Sequence, residues 1–161
     1  MIVLDASTLI NLANGGVLGI VLSLPGERFL ISGVVKRESR SIARAIDSAV
    51  ASGKLALIDD DLVPGALFKQ TKARLFLDEG ETECILAARA LGCGIACDDR
   101  AGREKAASEL GSERVTGSIG LLSLARRACL LTADSAYEAY RKMVRHGGFL
   151  PVLPLDYFES P

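Results

Sequence analysis

Glu81 and Glu83, then Asp98 and Asp99, bracket a run of small and apolar residues in GETECILAARALGCGIACDDRAGR (80–103). Asp5 ends a second apolar run, MIVLD, and Glu38 follows VVKR. Carboxylates brought to one place repel each other unless a cation neutralises them. Hard oxygen ligands of this kind suit Mg2+ or Mn2+. Such ions bridge phosphate oxygens and activate water, so a phosphodiester is the substrate class that the pattern suggests.

Each acid also has a plainer role open to it. Asp5 could cap a helix starting near Ser7. Asp78-Glu79-Gly80-Glu81 reads as a capping box with Asp78 at the N-cap. Asp98 or Asp99 could cap a helix beginning near Ala101, and Glu38 could be an exposed charge beside Lys36 and Arg37. Four acid loci at one rim are harder to explain by capping alone. Other chemistries have less support. His146 is the only histidine, in VRHGG near the end of a helical stretch, where the helix dipole favours a cation. That rules out a His-rich zinc site, and there is no G-x-S-x-G elbow. Cys84, Cys93, Cys97 and Cys129 fit no zinc spacing and read as small buried hydrophobes.

The elements that must position these acids alternate. Residues 1–5, 28–32, 54–58, 94–99 and 114–117 read as strands, several apolar throughout. Between them, 7–22 is helical in period but broken by Gly15 and Gly16, and 34–53 reads as one amphipathic helix. Its apolar face is Ile42, Ala45, Ile46, Ala49 and Val50, and Gly53 ends it. Residues 64–76, 80–91, 101–110, 118–130 and 135–148 read as further helices, and a Pro-rich tail packs or frays at the surface. Strands separated by helices need crossover connections and give a parallel sheet covered on both faces. The expectation is one α/β domain over 1–161, a three-layer α/β/α sandwich around a mainly parallel five-stranded sheet. In such sheets sites form at the carboxyl ends of strands, where Asp5, Asp98 and Asp99 fall. If the first and fourth strands are neighbours, the acids converge.

Composition narrows the partners. A net charge of −1 is not that of a general polyanion binder, so metal ions or local basic patches would have to hold a nucleic acid. With 5% aromatics, binding by base stacking alone is disfavoured. No apolar run reaches membrane-span length and no basic region precedes an apolar stretch, so a cytoplasmic protein without a signal peptide is expected.

The segments IVLDASTLINLA (2–13), VVKRE (34–38), GETECILAARALG (80–92) and ACDDRAGREKA (96–106) together resemble a PIN domain, the metal-dependent ribonuclease fold that includes the VapC-type toxins. VTGSIGLLSLARRACLL (115–131) looks like the C-terminal part of a less characterised PIN-like subgroup. The resemblance implies an endoribonuclease hydrolysing RNA phosphodiester bonds with Mg2+ or Mn2+ held by Asp5, Glu38, Glu81 and Asp99. Ser7 would support Asp5, and Glu83 and Asp98 are the alternative ligands. Glu81 and Glu83 lie about 200° apart around a helix, so one of the two would face the site. Many members have Asp where Glu81 stands and Thr where Cys97 stands. Arg100 and Arg103 could contact RNA phosphates, although Glu104 nearby also suits a solvated face. Arg40 and Arg44 read as surface residues. A small antitoxin partner and a homodimer are further implications.

Two other readings compete. One is a degraded PIN-like domain that binds RNA or protein without cleaving it. The other is a different phosphoryl-transfer α/β domain with Asp5 as nucleophile. Against the latter, a haloacid-type phosphatase would want a second Asp where Ser7 stands, and a receiver would want its acceptor Asp on a later strand.

Overall fold

The first apolar run becomes the middle of the sheet. The computed structural model describes residues 1–159. Strand β1 (Ile2–Leu4) pairs with β2 (Phe29–Ile31) on one side and β4 (Gly94–Ala96) on the other. β3 (Leu55–Leu57) lies beyond β2 and β5 (Val115–Thr116) beyond β4, giving the order β3-β2-β1-β4-β5 with every pairing parallel. All three residues of β1 and of β2 are buried, which is why these strands are apolar without alternation.

The helices are α1 (Ala6–Asn14), α2 (Leu18–Val21), α3 (Gly33–Glu38), α4 (Ala43–Ala51), α5 (Gly65–Leu75), α6 (Glu79–Ala90), α7 (Arg100–Leu110), α8 (Ser118–Arg127) and α9 (Ala133–Arg145). One group, α1, α2, α8 and α9, packs together. In the other, α6 lies on β1 and β4 with α5 and α7 beside it. This is the expected α/β sandwich, and the first and fourth strands are neighbours. Strand order reverses at β1 and β4: the chain steps outward to β2 and β3, then returns to β4 and β5. The connections leaving β1 and β4 therefore diverge, and a crevice opens at their carboxyl ends.

Three expectations need correction. The helix expected over 34–53 is broken: α3 ends at Glu38, a 3-10 turn covers Arg40–Ile42, and α4 begins at Ala43. Ser39 and Ser41 sit at the break, where serine competes with the helical backbone for hydrogen bonds. The break lets α3 end at the crevice while α4 buries Ile46 and Ala49; Ala45, expected on that face, is exposed. Cys129 is exposed rather than buried, because it occupies a left-handed position (φ 57°) just past α8. The other three cysteines are buried.

The tail packs through its backbone and Phe158. The Tyr140 hydroxyl donates to the Pro151 carbonyl at 3.0 Å and accepts from the Leu153 N–H at 3.2 Å, and Phe158 is buried. Among the described residues no helix is long and apolar enough to cross a membrane.

Candidate active site

Asp5 is the first residue past β1. It is buried, and it caps α1 by accepting from the Ser7 N–H at 3.1 Å and the Ser7 hydroxyl at 2.6 Å. The same hydroxyl accepts the N–H groups of Asp98 (3.0 Å) and Asp99 (3.3 Å). One side chain thus ties the end of β1 to the end of β4. Cys97 adds to it: its Sγ lies 3.6 Å from Asp5 Oδ2 and 3.6 Å from the Asp99 carbonyl oxygen. The thiol is a weak donor.

The two aspartates after β4 part company. Asp98 is saturated: Oδ1 accepts from the Ser118 N–H at 2.8 Å, and Oδ2 from the Asn11 amide at 2.8 Å and from the Ser118 hydroxyl. It joins α1 and α8 to the end of β4. Asp99 caps α7 through Oδ1, which accepts the Gly102 N–H at 2.9 Å. Its Oδ2 has no hydrogen-bond partner among the described residues, so it stays available to a ligand.

Glu81 closes the expected capping box. Asp78 accepts its N–H at 2.8 Å, and Glu81 Oε2 accepts the Asp78 N–H at 3.4 Å. Its Oε1 runs across the start of α7: a Cβ at Gly102 would lie 2.7 Å from it and 2.8 Å from Cys97 Sγ. Glu38, the last residue of α3, lies across the start of α6 in the same way. A Cβ at Gly80 would collide with its Oε2 and approach Oε1 to 3.2 Å. Two glycines in first helical turns thus make room for two carboxylates. Glu83 has a buried Oε2 with no hydrogen-bond partner, and it shares a helix face with Gly80 and Ala87.

The electrostatics follow from this crowding. Burial holds the Asp5 carboxyl above its ordinary value, against the hydrogen bonds from Ser7 and Cys97. Desolvation, then the charges of Asp78 and Asp5, raises Glu38, with Arg37 acting the other way. Glu81 is pushed up from 4.5 to about 7, by desolvation first and then by Asp78, Asp5 and Asp99. Burial next to Asp5 also raises the Cys97 thiol, so it is not a ready nucleophile. Asp5 is therefore within electrostatic reach of both Glu38 and Glu81, and Asp99 within reach of Glu81. The N-termini of α1, α6 and α7 meet there and supply partial positive charge.

The two arginines expected to meet RNA differ. Arg103 donates through Nη1 to the carbonyls of Cys97 (3.0 Å) and Thr116 (2.8 Å), so it ties β4 to β5. Arg100 is exposed and pairs with Glu104 at 2.9 Å.

A family model described as a PIN domain matches residues 1–152. The chain belongs to the PIN-domain family. No curated protein and no solved structure matches it. PIN domains are generally nucleases and typically use divalent metals. The donor set of this PIN domain suits such an ion. Asp99 Oδ2 makes no hydrogen bond among the described residues, Glu38 and Glu81 lie in glycine cradles, and every one of these donors is a hard oxygen. Among the described residues no three Asp, Glu, His or Cys side chains already surround one point at ligating distance. A bound ion would have to draw the carboxylates together.

Sequence reasoning missed Asn11, Gly80 and Gly102. For Asn11 a signal was present: Ser7, Asn11 and Asn14 form a polar stripe at helical spacing on an otherwise apolar helix. The glycines gave none, because their role is defined by side chains far off in sequence.

Proposed function

We propose that this PIN domain is a metal-dependent endoribonuclease whose Asp5, Glu38, Glu81 and Asp99 hold Mg2+ or Mn2+. The observation that carries the reading is a cluster of acids with little counter-charge. Desolvation first, and then the charges of Asp78, Asp5 and Asp99, push Glu81 up to about 7; desolvation, Asp78, Asp5 and Glu79 raise Glu38, with Arg37 acting the other way. Capping explains Asp5, Asp99 and Glu81; Glu38 is exposed, as an ordinary surface charge would be, but it ends a helix, where the dipole disfavours a carboxylate.

When bound, a divalent ion activates water and stabilises charge on the phosphate. The chain's own part is positioning. Ser7 and Cys97 orient Asp5 so that Oδ2 is engaged and Oδ1 is left for a ligand. The α7 cap fixes Asp99 with Oδ2 outward. Arg100 can exchange its exposed partner Glu104 for a flanking phosphate at little cost, since solvent screens so exposed a pair.

The test is incubation with a mixed RNA pool in Mn2+, Mg2+ or EDTA, beside Asp5→Asn and Asp99→Asn. Asparagine also caps helices, so both variants should fold. Cleavage that needs metal and both aspartates is the expected result; equal cleavage by the variants would sink it. The toxin role, with its antitoxin partner, is tested by expression in a bacterial host: growth arrest that Asp5→Asn relieves is expected.

One observation favours a second reading, a PIN-like domain that binds without cleaving. No three candidate ligands are gathered at ligating distance among the described residues. Mn2+ titration by calorimetry separates the two, since a degraded site would give no heat that depends on Asp5.

A further inference from the structure

Beside the acidic rim, a cleft of ≈ 220 Å³ opens between α1 and the turn that follows α9. Ser7, Asn14, Asp99, His146 and Phe149 are among the residues that line it. Whatever occupies it lies directly against the carboxylates.

Phe149 is 98% exposed, yet the chain that carries it is fixed. Gly148 donates its N–H to the Met143 carbonyl at 3.0 Å, and a Cβ there would stand 2.7 Å from Asn11 Oδ1. The Leu150 N–H returns to the Gly148 carbonyl at 2.9 Å, and the Pro151 carbonyl is held by the Tyr140 hydroxyl. A large aromatic ring is thus held in water by an anchored turn. Exposure alone carries no weight, since Phe76 is 90% exposed too; the informative feature is that this ring lines the cleft beside Asp99.

Charge indicates what the ring meets. Arg141, Lys142 and Arg145 are exposed near the end of α9, and His146 caps that helix. Of the three cations, Arg145 alone makes an ion pair among the described residues, with Glu138. Anionic backbone suits that end, and the carboxylates suit a scissile phosphate only with a metal between them. The cleft presents more apolar than polar surface, which suits the face of a base, and Asn14 and His146 can hydrogen-bond a base edge.

We propose that this cleft is the subsite for the nucleotide beside the scissile phosphate of a single-stranded RNA, with its base stacked on Phe149 and its backbone led in along the last turn of α9. The proposal rests on the nuclease reading of the acidic rim. It also accords with the scarcity of aromatics: it needs one stacking position at the site, not a platform. Unstacked bases on aromatic side chains are the usual way that proteins read single-stranded RNA.

The test uses the Asp5→Asn chain, to prevent cleavage, with short single-stranded RNAs of mixed sequence and with oligomers carrying 2-aminopurine. Phe149→Ala should weaken RNA binding on the order of tenfold. Phe149→Tyr should restore it, and 2-aminopurine fluorescence should be quenched by the parent and by Tyr but not by Ala. Equal affinity of Phe149→Ala and parent overturns the proposal. If that variant instead loses self-association in sedimentation, the face is a protein interface and the proposal also fails. Failure of the nuclease reading looks different: wild type then gives no Asp5-dependent Mn2+ heat and no cleavage. If Mn2+ binds and RNA is cleaved with Phe149→Ala as active as wild type, only the subsite is wrong.

Discussion

Glu81 closes a capping box and at the same time faces other carboxylates, and its protonation is set first by burial and then by those charges. Its carboxyl is raised from 4.5 to about 7 in the folded chain. The folded state therefore binds a proton more tightly than the unfolded state, and the stability this contributes is fully present below about 4.5 and lost as pH rises through about 7. In EDTA, wild type should lose thermal stability across that interval relative to Glu81→Gln, whose curve should be flatter. Added Mn2+ should reverse the loss at pH 7 and act weakly near pH 5, because the ion must displace the proton. Parallel melting curves for wild type and Glu81→Gln would show that Glu81 is not held protonated. Ser7 gives a second prediction at this scale. Ser7→Ala leaves the N–H groups of Asp98 and Asp99 without their acceptor and buried Asp5 without its shortest donor. The expected destabilisation is about 1–3 kcal/mol by urea denaturation.

Among the elements, the helix starts determine where the acids lie. Asp5, Asp78 and Asp99 are N-caps, so the plain reading of each and the catalytic reading of the set are compatible. This is why capping motifs made Asp5 and Glu81 legible from sequence. The family resemblance aligned Asp99 with the fourth acid and left Asp98 as the alternative; that Asp98 is engaged by Asn11 and Ser118 was not legible, because those residues are distant from it in sequence. The break at Ser39 was hidden too, since the apolar spacing of 42–50 continues a helical period through it. The glycines of α6 and α7 give a prediction that separates stability from function. A Cβ at 102 would push Glu81 Oε1 and Cys97 Sγ aside; the long Glu81 side chain can move, whereas Cys97 is buried. Gly102→Ala should therefore lower the melting temperature modestly, as the gain of about 1 kcal/mol in helix propensity offsets part of the cost of about 1–3 kcal/mol for crowding the buried thiol. It should lower Mn2+ affinity roughly tenfold or more by displacing Glu81. Gly80→Ala should act likewise through Glu38. Unchanged Mn2+ binding in both variants would remove Glu38 and Glu81 from the ligand set.

For the molecule as a whole, alternation of apolar strands and amphipathic helices was enough to foresee a parallel sandwich. The adjacency of β1 and β4 came from crossovers, which local patterns do not encode, yet it alone brings Asp5 to Asp99. The charge distribution is equally global. With a net charge of −1, the phosphate contacts come from a few local cations, so RNA affinity should depend only moderately on salt. If Arg100, Lys142 and Arg145 are the phosphate contacts, the slope of log K against log salt for single-stranded RNA should be about −2. Affinity would then fall about fifteen-fold between 50 and 200 mM salt. Binding of the Asp5→Asn chain at fixed Mn2+ measures this, and Lys142→Ala should reduce the slope by about 0.7. A slope near zero would mean that phosphates are held at the rim alone. A much steeper one would point to another cationic surface, such as the exposed side of α8 around Arg127, and would move the RNA path away from α9.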